Sequence, residues 1–246
     1  MITNSQTRTN IQEIADGIFR INTPVDLPGG GAFSFNQYLV VDEAPLLFHT
    51  GPRQLFPAVQ EAIAAVMPVD RLRYVGLSHF EADESGALNE LLAAAPGAVA
   101  VCGQVAAMVN IGDFAIRPPQ ALADGEQLAL GRHTMQWHDT PHVPHGWDCG
   151  LMSETETGTF FCGDLFTQPG RGDQALTQGD IFGPSEAFRQ PMDYFAHGPN
   201  TTDTLLRLAR TKPRTLACMH GSAWQGDGGG LLRHLAESLT AQAHPA

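Results

Sequence analysis

Residues 77–86 read LSHFEADESG and set His79, Glu81 and Asp83 at alternate positions, with Glu84 next in line. In an extended segment, residues i, i+2 and i+4 point to the same side. Three ligand-type side chains can therefore converge on one cation. A second reading is an acidic helix start, because carboxylates favour the first turn of a helix. That accounts for Asp83 and Glu84 but not for His79. Three further places carry similar residues. DTPHVPHGWDCG holds His142, His145 and Asp148 in a proline-rich turn. TFFCGDLF ends an apolar run on Asp164, and ACMHGSAW ends another on His220. A carboxylate at the end of a buried strand must be paired, hydrogen-bonded or metal-bound, because an uncompensated buried charge is costly. Taken singly, each place has a plain alternative, such as a turn aspartate after Gly163 or an incidental turn histidine. Together they set a histidine or carboxylate at strand ends or adjoining loops, where layered α/β folds build their sites.

The elements that must position these residues alternate along the chain. GIFRINTPV, FNQYLVV and LLFHTG read as strands, and QLFPAVQEAIAAVM has helical apolar spacing. RLRYVGLS is a strand that delivers the chain to His79. SGALNELLAAA is a helix capped by Ser85 that ends before Pro96. AVAVCG is a short buried strand, and QLALGRHTMQWHDT and GLMSETETGTFFCGD have hairpin character. SEAFRQPMDYFA and TDTLLRLART are helical, RTLACMHG is a strand, and GGLLRHLAESLTAQ is a closing helix. FTQPGRGDQALTQGD reads as a long surface loop, a length often tied to function. The order predicts two sheets packed face to face with helices outside, in one domain.

The bulk numbers narrow the function classes. The 246 residues carry a net charge of −12 and a single lysine, Lys212. Nucleic-acid binding needs clustered positive charge, so nucleic acid and anionic membranes are poor partners. No apolar run approaches the ~20 residues of a membrane span, and the polar start MITNSQTRTN lacks a signal core. The cytoplasm is the expected compartment. The cysteines Cys102, Cys149, Cys162 and Cys218 form no C-x-x-C pair and are expected as buried apolar residues.

From about residue 14 to 235 the chain resembles the metallo-β-lactamase superfamily. The resemblance rests on the motif at 79–84, the turn histidine, the GD aspartate nineteen residues after His145, and the late strand-end histidine. It implies an α/β fold, an αββα sandwich of two mixed sheets flanked by helices with a binuclear site on one edge. The superfamily motif is H-x-H-x-D-H, and here Glu81 and Glu84 replace its second and last histidines. H-x-E-x-D is similar to the diiron branch, the flavodiiron proteins and their oxygen-binding relatives, as are His145-Gly-Trp-Asp148 and HGSAW. The resemblance implies that His79, Glu81 and His145 hold one iron, Asp83 and His220 the other, and that Asp164 bridges them. An H-x-P hydrolase motif would select His142 instead; the spacing to Asp164 selects His145. A mixed imidazole and carboxylate set suits iron and oxygen chemistry, whereas imidazole-rich sites suit zinc. Zinc and manganese are alternative metals.

Glu84 is expected as an acid/base beside the site or as a solvent-facing first-turn residue, rather than as a ligand. His49 is expected to support a ligand, and Tyr194 and Trp224 to line an oxygen pocket. His133, His138, His197, His234 and His244 are expected at the surface or in local hydrogen bonds. The chain ends one helix after HGSAW, so a flavodoxin-like domain and bound FMN are not expected. The implied function is binding of O2 or NO as a sensor, or reduction with an external electron donor. A signalling partner protein and a homodimer are further expectations. The alternative is a binuclear hydrolase of an ester, lactone, thioester or β-lactam.

Overall fold

Alternation of apolar side chains along the strands decides the layers. The structure, a computed structural model, describes residues 1–243, so His244 lies outside it. Among the described residues one sheet has eight strands in the order β1 to β8. These are β1 (Ile2–Asn4), β2 (Thr9–Ala15), β3 (Ile18–Asp26), β4 (Ala32–Val40), β5 (Leu46–Phe48), β6 (Tyr74–Gly76), β7 (Val99–Gly103) and β8 (Gln120–Leu122). Pairing is antiparallel from β1 to β5 and parallel from β5 to β8. The second sheet has seven strands: β9 (Gln127–Ala129), β10 (Thr134–Asp139), β11 (Gly150–Glu154), β12 (Thr159–Gly163), β13 (Leu176–Thr177), β14 (Thr215–Cys218) and β15 (Ala223–Gln225). Their order is β13-β15-β14-β12-β11-β10-β9, with β12–β14 and β13–β15 parallel.

Odd and even positions feed different cores. Tyr38, Val40, Leu46, Phe48 and Val101 face Met135, Trp137, Met152, Phe161 and Ala217 between the sheets. Leu39, Leu47, Val75 and Ala100 instead pack outward on α1 (Phe56–Ala64), on α3 (Leu88–Ala94), which follows the short α2 (Ala82–Ser85), and on α4 (Gln104–Val109). Beyond α5 (Ile111–Phe114) and α6 (Phe182–Met192), Leu151, Phe160, Cys162, Leu216 and Cys218 pack outward on α7 (Thr201–Ala209) and α8 (Gly228–Ala243). Two mixed sheets flanked by helices form the expected αββα sandwich. All four cysteines are buried and free. Among the described residues no helix is long and apolar enough to cross a membrane.

Several local expectations are corrected. Ser85 does not cap the helix: its hydroxyl donates to the Glu81 carbonyl at 2.7 Å, inside the separate turn α2. The stretch 166–180 is not simply a surface loop, because Phe166 and Ala175 are buried and β13 joins the sheet beside β15. The polar N-terminus pairs as β1 and β2, and residues 104–114 are helical. His133 beside Glu154 at 3.2 Å and His138 against the Ser153 hydroxyl at 2.8 Å are buried, and each makes the local polar contact that was the second of the two expectations.

Candidate metal centre

Strand ends deliver the candidate ligands to one edge of the sandwich. β6 runs into Ser78 and His79, β12 into Asp164, β14 into His220, and the β10–β11 connection carries His145. Two glycines shape these exits. Gly163 adopts φ +51° immediately before Asp164, and Gly221 adopts φ +87° immediately after His220. A Cβ on Gly221 would stand 2.6 Å from the Gln168 Cβ, so both backbone angle and packing demand glycine.

The imidazoles are oriented through their far nitrogens, as metal-binding histidines commonly are. His220 donates from Nδ1 to the Ser34 carbonyl at 2.8 Å. Its Nε2 then presents a lone pair to Asp83 Oδ2 at 3.4 Å and Asp164 Oδ1 at 3.3 Å. A lone pair aimed at two carboxylates is stable only with a proton or a cation between them. His79 Nδ1 meets the Ser78 hydroxyl at 2.9 Å, which meets His49 Nε2 at 2.8 Å. Burial pushes His49 down to about 3 and keeps it neutral, so His49 supports the site through Ser78.

His79 Nε2 and His145 Nε2 each lie 3.0 Å from Glu81 Oε2. Asp164 Oδ2 is 3.6 Å from the first and 3.4 Å from the second. Asp164 thus turns one oxygen to the His79–Glu81–His145 group and the other to His220. Donor atoms about 2.1 Å from a shared ion, at octahedral to tetrahedral angles, lie roughly 3.0–3.4 Å apart. The observed separations fall in or near that range.

Electrostatics follow from the same contacts. Hydrogen bonds from His145 and then His79 lower the Glu81 carboxyl to about 2. Burial opposes ionisation of Asp164, but the hydrogen bond from His220 and the surrounding imidazoles hold its pKa low. Burial also opposes charge on His220, yet Asp164 and Asp83 raise it to about 9. Protons therefore balance these carboxylates where no cation does, and metal binding would displace them. Both Glu84 oxygens are buried without a hydrogen-bond donor, orphaned acceptors that fit a metal centre.

Two ligand groups result: His79, Glu81, His145 and Asp164, and Asp83, Glu84 and His220, the chosen atoms within each lying no more than 4.8 Å apart. All six expected ligands meet. His142 is exposed in the neighbouring turn, and neither group includes it. Asp148 accepts from the Phe80 backbone at 3.1 Å and from Asn110 Nδ2 at 2.8 Å, anchoring the ligand segment. The expectation of a solvent-facing Glu84 is overturned: the residue is 0% exposed. Burial and the Asp164 charge push its carboxyl well up. Residue type and spacing carried no signal of this, because the contact that turns α2 inward comes from Thr50. The Thr50 backbone N–H and hydroxyl both donate to the Glu84 carbonyl, at 2.8 and 3.0 Å.

A cleft of about 210 Å³ opens over the centre, walled by Phe33, Phe188, Met192 and Tyr194. Tyr194 donates its hydroxyl to the Asp164 carbonyl at 3.1 Å. Trp224 is not in the lining; its indole donates to the Gly179 carbonyl at 2.9 Å. No lysine or arginine lines the cleft among the described residues.

Comparison with known proteins adds the following. Residues 33–221 match the family described as ODP family beta lactamase. The chain is 27% identical over 198 residues to a putative diflavin flavoprotein A 1 of Nostoc sp. PCC 7120, covering 78% of this chain and 34% of that protein. It is 26% identical over 208 residues to an anaerobic nitric oxide reductase flavorubredoxin of Pectobacterium atrosepticum, covering 79% and 40%. It thus spans about a third to two fifths of the length of these relatives. Among solved structures, rubredoxin oxygen:oxidoreductase from Desulfovibrio gigas superposes with a TM-score of 0.79 at 21% identity, covering 96% of this chain and 63% of that one. That likeness concerns the fold.

Proposed function

The chain belongs to the ODP family of β-lactamase-type domains, the flavodiiron-core branch of the metallo-β-lactamase superfamily, and on that premise we propose that it is a non-haem diiron protein that binds O2 or NO. In this reading it acts as a sensor or binder, or as a reductase fed by an external electron donor. His79, Glu81 and His145 would hold one iron, Asp83 and His220 the other, and Asp164 would be shared between them. The observation that carries the reading is Asp164, whose two oxygens divide between two ligand groups.

Iron would supply redox activity and exchangeable coordination positions for a diatomic ligand. The chain's own residues do the rest. Ser34 and Ser78 fix the ring planes of His220 and His79. Phe33, Phe188 and Tyr194 give the cleft an apolar wall beside the candidate ligands, which suits a small neutral ligand. The relative named as a nitric oxide reductase supports NO as a ligand. Electron delivery by a separate partner belongs to the proposal.

The test is anaerobic purification with metal analysis, followed by O2 or NO addition while the visible spectrum is recorded. About two irons per chain and a new charge-transfer band are expected. Two tightly held zincs, no spectral response and turnover of a lactone or thioester would overturn the proposal.

A further inference from the structure

With Asp164 shared, the six ligands divide unevenly. The first metal has four protein donors, His79, Glu81, His145 and Asp164; the second has three, Asp83, His220 and Asp164. Glu84 is grouped with Asp83 and His220 but, unlike them, does not line the cleft. Its carboxylate is fully buried, and neither oxygen has a hydrogen-bond partner. Oε2 is 3.9 Å from His79 Nε2, and the carboxylate groups with Asp83 and His220.

We infer that Glu84 is a seventh ligand, completing the second metal's set from beneath and making the centre four-carboxylate in this chain. The inference rests on the diiron reading proposed above. Three observations carry it. First, an ionised carboxylate without a donor is strongly disfavoured in a protein interior, and a directly bound cation removes that cost. Second, the residue is held in place. Thr50 binds the Glu84 carbonyl twice, and its hydroxyl also accepts from the Ala87 backbone at 3.0 Å. α2 is thereby pinned to the end of β5, and the side chain is committed inward. Third, Glu84 does not line the cleft, whereas Asp83, Glu81 and His145 do. It is therefore poorly placed to exchange a proton directly with a ligand in the cleft, but it can coordinate from below and leave the upper positions free.

The electrostatic consequence is specific. Three neutral imidazoles and three carboxylates around two divalent ions leave one positive charge; a fourth carboxylate leaves none. The added anion stabilises the higher oxidation state, so its removal raises the reduction potential of the pair.

The experiment titrates metal-free full-length wild type, Glu84→Gln and Glu84→Asp with Co2+, reading d–d absorption and bound metal after dialysis. Wild type is expected to bind two ions. Glu84→Gln should keep the first and lose at least roughly tenfold in affinity for the second, the scale expected for even an outer-shell partner. The metal-free Glu84→Gln protein should melt close to metal-free wild type, because a neutral amide of the same length replaces a carboxyl that burial already disfavours as an anion, and should gain less on loading. If Glu84→Gln does not fold, Glu84→Asp decides: it keeps the charge but withdraws it by one methylene, and should also weaken the second site alone. Two ions bound with wild-type affinity by the folded variant would overturn the Glu84 assignment and leave the diiron reading intact. A wild-type chain that binds no metal would overturn both.

Discussion

Glu81 is the residue on which metal choice turns. It lies 3.0 Å from the Nε2 atoms of both His79 and His145, so it shares their ion in the proposed centre. A hard carboxylate there biases the first position away from the imidazole-rich sets that suit zinc. Glu81→His is expected to lower iron content and raise zinc content in protein expressed with both metals, read by elemental analysis. Unchanged iron content would remove the argument from ligand type. Ser78 acts one step further out. Its hydroxyl links His49 to His79 Nδ1, so it fixes which nitrogen of His79 faces the centre. Ser78→Ala is expected to weaken metal binding by about 10–100-fold while leaving the ligands in place. Metal-competition titration against a chelator of known affinity measures this, and His49→Ala should give a similar loss because both break the same link.

Elements set the directions in which these residues leave the sheets. The exits of β12 and β14 depend on Gly163 and Gly221, whose positive φ angles turn the chain at Asp164 and His220. Gly221→Ala meets a left-handed backbone angle and a contact of 2.6 Å with Gln168. The angle alone costs roughly 1–2 kcal/mol, and the contact adds to it. Urea denaturation of the metal-free protein is expected to show at least that loss. Metal affinity should fall as well, because the Gly221 backbone N–H donates to the Ser34 hydroxyl beside the carbonyl that orients His220. A loss of stability with intact metal affinity would show that this turn supports the fold but not the site. α2 is the other decisive element. A single turn of Ala82–Ser85 sends Asp83 to the cleft and Glu84 into the interior.

At the scale of the whole molecule, the centre is assembled from both sheets. His79 and Glu81 follow β6 of the first, whereas Asp164 and His220 follow β12 and β14 of the second. The inter-sheet core therefore sets the distance between the ligand groups. Phe161 is fully buried there, with ring centroids 5.3 Å from Phe48 and 5.8 Å from Tyr38. Phe161→Ala is expected to cost about 3–5 kcal/mol in the metal-free protein. Metal that binds only the folded chain recovers part of this by mass action. Chemical denaturation with and without metal checks both statements, and a loss under about 1 kcal/mol would mean that the sheets repack without harm.

The sequence alone determined the ligand types and their order along the chain. Ligand-type residues at and near the ends of apolar strands stand out against local periodicity, and the resemblance to the diiron branch drew His79, Glu81, Asp83, His145, Asp164 and His220 from among them. The layered architecture was legible for the same reason. Local pattern could not report contacts made from far along the chain. Glu84 looked like a solvated first-turn residue, and only the Thr50 clamp, 34 residues away, turns it into the interior. β13 looked like loop because a two-residue strand has no period, and it is defined by its partner β15. The spacing to Asp164 selects His145 over His142 in the sequence, whereas the direction of its side chain belongs to the tertiary structure. Both occupy one turn, but only His145 directs Nε2 to Glu81 and Asp164, at 3.0 and 3.4 Å. Residue chemistry is local and readable; the direction of a side chain depends on packing between segments distant in sequence.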